Sequence, residues 1–310
     1  MTKKIIVEIA EGLGNQLFMY AHAFSMSKKL GYELFIDNKS AYSFKKNTLR
    51  NHQKYILNSF NIIENYAPNE FIYDNLHKKI KKKLLALIDK FSNKKVFFRE
   101  KSIKRKNSKI VKNYTSLFEK NFSDNIYVQG NFENHEYFSE YKKELSNFFI
   151  IKSEFVNHKE SIVEQLSNNN SISIHIRRNR FSDQIGLTDT VKNKEKSDFF
   201  TNQIIDYINR SIDYIEKKVR SPQYFIWTND YEDFDQLSKK LVIKKYHLIN
   251  EDIINDFDLF RYAKHFIVGP SSFHWWGAWL NENSDKICIR PSNLNPSNNE
   301  NFWPKNWISI

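Results

Sequence analysis

The sequence predicts an α/β protein built from two Rossmann-like halves, each with a parallel sheet. Short apolar runs of strand length alternate with helical segments along most of the 310 residues, a pattern typical of parallel sheets covered on both faces. The chain is longer than one ordinary hydrophobic core requires, so two domains are expected. Apolar residues make up 40% of the chain and aromatic residues 15%, which is enough to fill both cores.

The first half, residues 1–152, is predicted to open with a βαβ unit. A strand at 4–9 leads through the loop at 10–14 into a helix at 15–30, and Gly31 is a natural left-handed helix cap. A strand at 33–37 completes the unit, with the right-handed crossover that such units nearly always show. Further elements are expected at 125–129, as a strand, and at 133–149, as an aromatic-rich helix.

The second half, residues 153–310, alternates more regularly between the two element types. We expect helices at 153–166, 198–218, 231–240 and 256–263 and strands from Ser171 and at 223–228, 247–249, 265–268 and 286–290. A further helix is expected to follow the turn at 269–272. Neither an internal repeat nor a linker of flexible composition is visible.

The charge balance narrows the class of partner. Lys and Arg number 48 against 36 Asp and Glu, giving a net charge of +12, which favours nucleic acid, an anionic membrane surface or an anionic small substrate. A nucleic-acid-binding protein is disfavoured, because the aromatic residues fall in predicted cores rather than among the lysines and no RNA-binding signature is present.

Much of the excess charge lies in a basic insertion at about 75–112. Within it five apolar residues recur at helical spacing, opposite a face of lysines; they are Leu76, Ile80, Leu84, Leu87 and Phe91. Most lysine faces are simply solvated, but an amphipathic helix of this kind also docks on anionic lipid. Peripheral contact with an anionic membrane is therefore a second hypothesis for this segment.

Cysteine content and hydropathy favour a cytoplasmic protein. The single cysteine, Cys288, excludes a disulfide framework and fits a reducing compartment. Its apolar neighbours predict a buried strand residue rather than a nucleophile. The chain passes from Met1 almost directly into a strand, and no apolar run approaches the length of a membrane span.

Two adjacent arginines mark the end of the strand that begins at Ser171. The run ends in His175-Ile-Arg177-Arg178, and guanidinium groups suit forked contacts with phosphate at the mouth of a parallel sheet. The alternative is that both arginines form structural ion pairs with nearby carboxylates.

Two turns between a strand and a helix are also candidate anion sites. The first contains Gly12 and Gly14; Leu17 stands where the dinucleotide fingerprint needs a third glycine, so a nicotinamide enzyme is disfavoured. A tight turn explains this loop equally well. Asn15 and Gln16 carry amides that could bind a ligand across a cleft.

The second turn contains Ser271 and Ser272, which open the helix after strand 265–268. Either serine could instead be a simple helix cap. Trp275, Trp276 and Trp279 follow within a few residues, and a core position is the ordinary interpretation of such a group, with sugar stacking as the alternative.

Acidic residues at a predicted helix start complete the set of candidates. Capping explains one of Asp256 and Asp258, and the other could accept hydrogen bonds from a guanine edge or ribose hydroxyls. No cluster of side chains has metal-ligand spacing in the sequence. We therefore expect a mechanism without a metal or other cofactor, in which arginines take the role of a divalent cation.

Three segments together resemble glycosyltransferase family 11, the α-1,2-fucosyltransferases, in a bacterial form. They read GLGNQLFMY at 12–20, HIRR at 175–178 and SSFHWWGAWL at 271–280. They occur in the family's order and at family-like spacing, and the resemblance covers essentially the whole chain.

The resemblance implies a GT-B fold, in which two Rossmann-like domains face an interdomain cleft. It also implies that the first domain lies on the acceptor side and that the second holds GDP-fucose. The donor-binding residues that it implies are Arg177 on the diphosphate with Arg178 in support, His175 beside the nucleotide, Asp256 on guanine, Ser272 on the β-phosphate with Ser271 and Phe273 adjacent, and Asn15 with Gly14 across the cleft.

The sequence also departs from the family pattern. Arg180 stands where an acidic residue usually follows the arginine motif, and Asp183 is a candidate replacement. His274 stands where a serine is common. The base that takes the acceptor proton is accordingly open, with Glu11, Asp183 or a phosphate oxygen as candidates and His274 on the acceptor side.

The reaction implied by the resemblance is inverting transfer of L-fucose from GDP-β-L-fucose to the 2-hydroxyl of a terminal galactose or N-acetylgalactosamine. The acceptor would be a surface glycan precursor, for instance a lipid-linked oligosaccharide at the inner face of the bacterial membrane. A transferase that uses a different GDP-linked sugar is the alternative, because phosphate and guanine contacts do not select the hexose.

Overall fold

The computed structural model describes residues 2–43, 54–100, 102–105, 108–111, 121–168, 170–178, 191–297, 299 and 301–310. The chain forms two compact units, Met1–Phe149 with Ser297–Phe302, and Ile150–Pro296 with Trp303–Ile310. The predicted boundary lay between residues 152 and 153. The segment Ser297–Phe302 joins the first unit because Phe302 is buried against Phe18 of that unit, with 6.0 Å between the ring centroids.

The first unit is built around a parallel sheet. In chain order its elements are β1 Lys4–Glu8, α1 Leu13–Leu30, β2 Glu33–Asp37, α2 Leu76–Asp89, β3 Lys95–Arg99, β4 Ser102–Arg105, β5 Ser108–Val111, β6 Phe122–Gln129 and α3 Lys142–Phe148. The sheet has the order β2-β1-β6-β3 with every neighbouring pair parallel, whereas β4 and β5 form a separate antiparallel pair. The predicted βαβ unit is therefore present at the start of the chain.

Burial in the first unit follows from the position of β1 inside its sheet. Ile5, Ile6 and Val7 are fully buried, as expected for a parallel strand covered on both faces. Helix α1 ends at Gly31, whose φ of 67° is the left-handed conformation that glycine adopts without steric cost. The predicted helix cap is confirmed.

The segment at 133–149 is less helical than its composition predicts. It contains two short 3₁₀ turns, His135–Tyr137 and Ser139–Tyr141, before α3 begins. Asn134 starts the first turn, because its side chain accepts a hydrogen bond from the Glu136 N–H. Aromatic rings from Phe138, which lies between the two turns, from the second turn and from α3 pack on α1; the ring pairs are Phe18–Phe138, Phe24–Tyr141 and Phe24–Phe148.

The second unit has a larger parallel sheet. In chain order its elements are α4 Glu160–Asn168, β7 Ser171–Ile176, α5 Val191–Glu216, β8 Gln223–Thr228, α6 Phe234–Ser238, β9 His247–Leu248, α7 Ile253–Phe260, β10 His265–Ile267, α8 Ser272–Leu280, β11 Cys288–Arg290 and β12 Ile308–Ser309. The sheet order is β12-β11-β10-β7-β8-β9, again with parallel neighbours. The α/β class and the two Rossmann-like halves are confirmed.

The strand order of the second sheet reverses next to β7. The chain moves from β7 outward to β8 and β9, and then returns to place β10 on the other side of β7. Loops that leave the carboxyl ends of two such strands diverge, and open α/β sheets bind ligands in the crevice between them. The crevice between the ends of β7 and β10 is therefore where the second unit can hold a ligand.

Candidate functional site

His175 forms one wall of the candidate site near the end of β7. Its ring lies close to those of Phe260, Phe273 and His274, at 6.2, 6.3 and 5.5 Å between centroids. Burial, aided by the charge of Arg177, lowers the pKa of His175 to about 3. The imidazole is therefore neutral at physiological pH and can donate or accept a hydrogen bond without carrying charge.

The two arginines of the motif have different surroundings. The Nη1 atom of Arg178 lies 3.0 Å from the Asp230 carboxylate and 3.8 Å from that of Asp233. The Arg178 N–H also donates to the side chain of Asn229 at 2.7 Å. The structure thus supports the ion-pair alternative for Arg178, and a direct contact of this residue with a donor stays a prediction.

Arg177 is the cation that directly follows β7. It is half-buried, and its charge contributes to the lowered pKa of His175. Arg178 is held by Asn229 and Asp230, which follow β8, whereas Arg177 directly follows β7, next to the strand switch point. This is the position predicted for the group that meets the donor diphosphate.

The loop after β10 approaches β7 closely at Gly269. A Cβ atom added there would lie closer to the His175 carbonyl oxygen than a van der Waals contact allows, so only glycine fits. This close approach places the start of α8 beside the end of β7. The neighbouring ends of β7 and β10 thereby bring His175, Arg177 and Ser271 into one region.

The start of α8 matches the prediction in position but not in every contact. Ser271 is the cap residue, yet its side chain forms no capping hydrogen bond. Its N–H donates to the Gly269 carbonyl at 2.7 Å, so the Ser271 amide is used inside the turn. Ser272 and Phe273 form the first turn of the helix and are half-buried, where the helix dipole favours an anion.

The residues that follow in α8 belong to the core. Trp275, Trp276 and Trp279 are buried, and the rings of Trp275 and Trp279 stack at 5.8 Å, which agrees with the core interpretation of the tryptophan group. His274 is also fully buried, and its Nε2 lies 2.8 Å from the Ser173 hydroxyl. The predicted acceptor-side place of His274 is therefore wrong, because no part of its side chain reaches the surface.

Helix α7 begins earlier than predicted, and this changes the roles of its acidic residues. Asp252 is the cap, since its carboxylate accepts the N–H groups of Ile254 and Asn255 at 2.9 and 3.0 Å. Asp256 therefore lies inside the first turn and is not needed as a cap. It accepts a hydrogen bond of 3.2 Å from the Glu251 N–H and interacts with the side chain of Trp227.

Burial raises the pKa of Asp256 to about 7. Its charge also acts on Tyr231, whose pKa is raised to about 12 mainly by burial, and whose hydroxyl donates to the Ile249 carbonyl at 2.7 Å. Asp256 is thus a half-buried carboxyl group with spare acceptor capacity, next to an aromatic side chain. This combination suits the N–H edge of a purine base.

Asp258 has a structural task. Its carboxylate lies 2.8 Å from the His158 Nε2 and 3.4 Å from the Tyr262 hydroxyl, and the neighbouring Asn255 accepts the Asn157 N–H at 2.7 Å. These contacts tie α7 to the segment before α4. The role of His158 was missed, because its partner lies about a hundred residues further along the chain and no local pattern signals the pairing.

The glycine loop of the first unit is held by its own side chains. Asn15 donates to the Glu11 carboxylate, and Gln16, which is fully buried, donates to the carbonyls of Glu11 and Lys54 at 2.8 Å. The Gln16 oxygen accepts the Ile56 N–H at 3.0 Å. The interpretation of Gln16 as a ligand-binding amide is therefore wrong, and the tight-turn interpretation accounts for its contacts.

Glu11 and Gly14 occupy distinct positions in this loop. Glu11 adopts a positive φ of 62°, which is uncommon for a residue with a Cβ atom, and its carboxylate faces Asn15. Gly14 is buried in the first turn of α1. Their predicted roles toward donor and acceptor remain predictions, as does that of Asn15.

A charged cluster at the carboxyl ends of β1, β2 and β6 was not predicted. The Tyr127 hydroxyl lies 2.7 Å from the Glu8 carboxylate and 2.5 Å from the Asp37 carboxylate, and Lys82 forms an ion pair with Glu8. Lys82 and the hydrogen bonds keep the pKa of Glu8 low despite burial, which acts in the opposite direction. Glu8 and Asp37 were visible as acidic residues that end apolar strands, and that signal could have found the cluster.

Arg180 and Asp183, predicted near the arginine motif, lie outside the residues that the structure describes. Within the described ranges, no group of three or more His, Cys, Asp or Glu side chains could hold a metal ion. In the same part of the chain, no helix combines the length and the hydropathy that crossing a bilayer requires.

These features place the chain among the Rossmann-like α/β proteins, with a strand switch point between β7 and β10 of the second sheet. Within that class it belongs to glycosyl transferase family 11, whose profile matches residues 4–310. The predicted family membership is confirmed, and the chain is a glycosyltransferase of this family.

Curated relatives match over nearly their full length. An alpha-1,2-colitosyltransferase of Escherichia coli is 25% identical over 316 residues, covering 99% of this chain and 98% of the relative. The O-antigen biosynthesis glycosyltransferase WbnK of Escherichia coli is 25% identical over 324 residues, covering 97% and 99%. Among solved structures, the fucosyltransferase NodZ from Bradyrhizobium aligns with a TM-score of 0.46 at 11% identity, covering 89% of this chain and 92% of that chain.

Proposed function

We propose that this glycosyltransferase transfers L-fucose from GDP-β-L-fucose, with inversion, to the 2-hydroxyl of a terminal galactose or N-acetylgalactosamine on a surface glycan precursor. The observation that carries the proposal is the position of Arg177. In a chain that matches family 11 from residue 4 to residue 310, this arginine follows β7 at the strand switch point, beside the start of α8.

The proposed chemistry is a single displacement at the sugar C1. The bond from C1 to the acceptor oxygen forms as the bond from C1 to the diphosphate oxygen breaks, and the acceptor hydroxyl loses its proton. Negative charge grows on the leaving GDP, so Arg177 and the start of α8 stabilise the transition state more than the ground state. Glu11, Asp183 and a phosphate oxygen remain the candidates for receiving the proton.

Two further side chains of the second unit fit this donor. Asp256 would accept hydrogen bonds from the guanine N–H edge, because the capping role at this helix belongs to Asp252. His175 would lie beside the nucleotide as a neutral group. A neutral imidazole adds a hydrogen bond there without adding a second charge that must be desolvated.

We also propose that the reaction needs no divalent cation, because a guanidinium group beside a helix start can neutralise the leaving diphosphate. Transfer measured in EDTA should then equal transfer measured with added Mg²⁺ or Mn²⁺. Loss of activity in EDTA that either cation restores would contradict this part of the proposal.

A second donor is favoured by one specific observation. A relative that aligns over 99% of this chain is named as a colitosyltransferase, and colitose is fucose without its 3-hydroxyl. The two donors share the same guanine and diphosphate, so Arg177 and Asp256 would bind either donor in the same way. Comparing kcat/KM for GDP-fucose and GDP-colitose with one galactosyl acceptor decides between them.

The test of the site itself is Arg177→Ala. We expect kcat/KM for GDP-fucose to fall by roughly 100-fold to 1,000-fold, the usual loss when one group that stabilises transition-state charge is removed. Release of GDP in the presence of a galactosyl acceptor is the measurement, and circular dichroism and the melting temperature check the fold.

Arg210→Ala is the matched control for that substitution. Arg210 is an exposed residue of α5 that forms an ion pair with Asp206, one turn earlier, at 3.1 Å. It should leave the transfer rate unchanged. An Arg177→Ala enzyme with full activity would overturn the assignment of the diphosphate site.

A further inference from the structure

Helix α2 packs on the first sheet through a side that carries a lysine, and not through its most apolar side. Lys82 turns inward, where its ammonium forms an ion pair with Glu8 and lies 4.4 Å from the centroid of the Tyr127 ring. Leu85 and Ala86 pack against the core on the same side. Asp89 is also buried and accepts the Val96 N–H at 2.5 Å.

The predicted apolar stripe of α2 consequently faces away from the sheet. Its members, together with Ile88, are between 49% and 85% exposed. An amphipathic helix normally buries such a stripe in its own core, and contiguous exposed apolar residues on a soluble surface mark a binding face. The residues of this outer face are Leu76, Ile80, Leu84, Leu87, Ile88 and Phe91.

Basic side chains border the outer face on both sides. With 3.6 residues per turn, Lys83 and Lys90 fall along one border of the apolar arc and Lys81 along the other. All three are exposed. Lysine stems in this position can lie along an apolar surface while the ammonium groups reach outward to anionic headgroups.

We propose that the outer face of α2 docks on an anionic lipid bilayer, with the helix lying parallel to the membrane surface. The apolar side chains would enter the boundary between headgroups and acyl chains, and the bordering lysines would contact the headgroup charges. The charge pattern favours this occupant over a second copy of the chain, because two such faces would bring their lysines together. The net charge of +12 acts in the same direction.

This docking does not depend on the proposed transfer reaction, since it needs neither donor nor acceptor. It would bring the enzyme to the surface on which a lipid-linked acceptor resides. The two proposals can therefore fail separately. A chain that does not bind vesicles contradicts the docking proposal, and a chain that does not transfer sugar from GDP-fucose contradicts the proposed reaction.

The experiment is flotation of the full chain with vesicles of phosphatidylcholine alone and with phosphatidylglycerol added. We expect binding only to the anionic vesicles, weakened by added salt. Two double variants test the face: Leu84→Ser with Leu87→Ser removes apolar area, and Lys81→Glu with Lys83→Glu reverses charge. Each should lower the partition coefficient by at least about tenfold.

Matched controls separate location from composition. Lys217→Glu with Lys218→Glu makes the same change in net charge at exposed positions after α5, and Phe199→Ser removes an exposed apolar residue of α5. Both should bind vesicles like the wild type. Because the substituted side chains are exposed, melting temperatures should be unchanged throughout.

Three results would overturn the proposal. The first is a wild-type chain that ignores anionic vesicles, and the second is equal loss of binding in the α2 and control variants. The third is a dimer in analytical ultracentrifugation that the Leu84 and Leu87 substitutions abolish, without any vesicle binding, which would assign the face to a second copy.

Discussion

Asp256 and Asp258 lie on the same helix, yet their surroundings give them different tasks. One carboxylate oxygen of Asp258 is held by His158 and by the Tyr262 hydroxyl. Asp256 accepts the Glu251 N–H at 3.2 Å and interacts with the Trp227 side chain, and burial raises its pKa to about 7. A half-buried carboxyl group whose pKa is raised to about 7 is a good candidate for binding a ligand.

The first prediction concerns the pH dependence of donor binding at Asp256. Only the ionised carboxylate accepts two hydrogen bonds from the guanine edge, and the pKa of about 7 means that this form is lost as the pH falls below 7. The affinity for GDP-fucose should therefore decrease by up to about tenfold per pH unit on the acid side. Calorimetry between pH 6 and pH 8.5 measures it.

Asp256→Asn supplies the matched test, because its amide does not titrate. This variant should bind GDP-fucose more weakly at pH 8 and show a flat profile toward lower pH. GDP-fucose is the ligand of choice, since its diphosphate is esterified at both ends and keeps a constant charge in this range. A variant that retains the wild-type slope would assign the titration to another group.

At the scale of elements, the site depends on how closely β10 and its loop approach β7. The loop touches the His175 carbonyl at Gly269, which fixes where α8 begins. The other end of α8 is held by Lys286, whose ammonium donates to the carbonyls of Ala278, at 2.8 Å, and Asn281. A cation there satisfies carbonyls that a helix end leaves unpaired.

The second prediction compares substitutions at the two ends of α8. Gly269→Ala should cost about 1–3 kcal/mol of unfolding free energy, because its Cβ displaces the loop from β7, and it should also weaken GDP binding. Lys286→Met should cost a similar amount, since it leaves helix carbonyls without a partner, but should leave GDP affinity unchanged. Urea denaturation and calorimetry measure the two quantities, and equal GDP affinities in both variants would contradict the assigned site.

Strands and helices set by local signals were predictable from the sequence. The apolar run from Ser171, the strand at 223–228 and the left-handed cap at Gly31 all follow from patterns within a few residues. Strand β12 has only two residues, Ile308–Ser309, and exists because β11 lies beside it. The charge pattern alone predicts one of Asp256 and Asp258 as the cap of α7, whereas Asp252 is the residue that caps it.

The orientation of α2 could not be predicted from local patterns either, because it depends on a contact between distant parts of the chain. The apolar spacing correctly predicts an amphipathic helix. The side opposite the apolar stripe is not a lysine face, since Lys82 shares it with Leu85, Ala86 and Asp89. Which face turns toward the sheet depends on Lys82 finding Glu8, whose strand lies far earlier in the chain. Long-range pairing of buried charges therefore decided an outcome that hydrophobic periodicity alone would have reversed.

Across the whole molecule, both units bury neutral histidines. In the first unit His22 stacks on Phe132 at 3.9 Å between ring centroids, and burial lowers its pKa to about 3. In the second unit burial lowers the pKa of His175 to about 3 and that of His274 well below its usual range. Each of these rings must gain a proton when the chain unfolds in mild acid.

The last prediction is acid sensitivity that is spread over both units. A folded pKa below the unfolded value of about 6.5 means that the stabilisation is present above pH 6.5 and is lost as the pH falls toward 3. Between pH 6 and pH 5, most carboxylates are still ionised, so each buried histidine should steepen the loss by about 1.4 kcal/mol per pH unit. His22→Phe keeps the aromatic stack with Phe132 and Phe98. The variant should take up one proton fewer on unfolding, which makes the pH dependence of its unfolding free energy shallower, and should keep its stability at pH 7.5. Urea denaturation across this range measures how the unfolding free energy changes with pH. His77→Gln, at an exposed position of α2, is the control that should leave this slope unchanged. A His22→Phe slope equal to that of the wild type would show that His22 is not a buried neutral group.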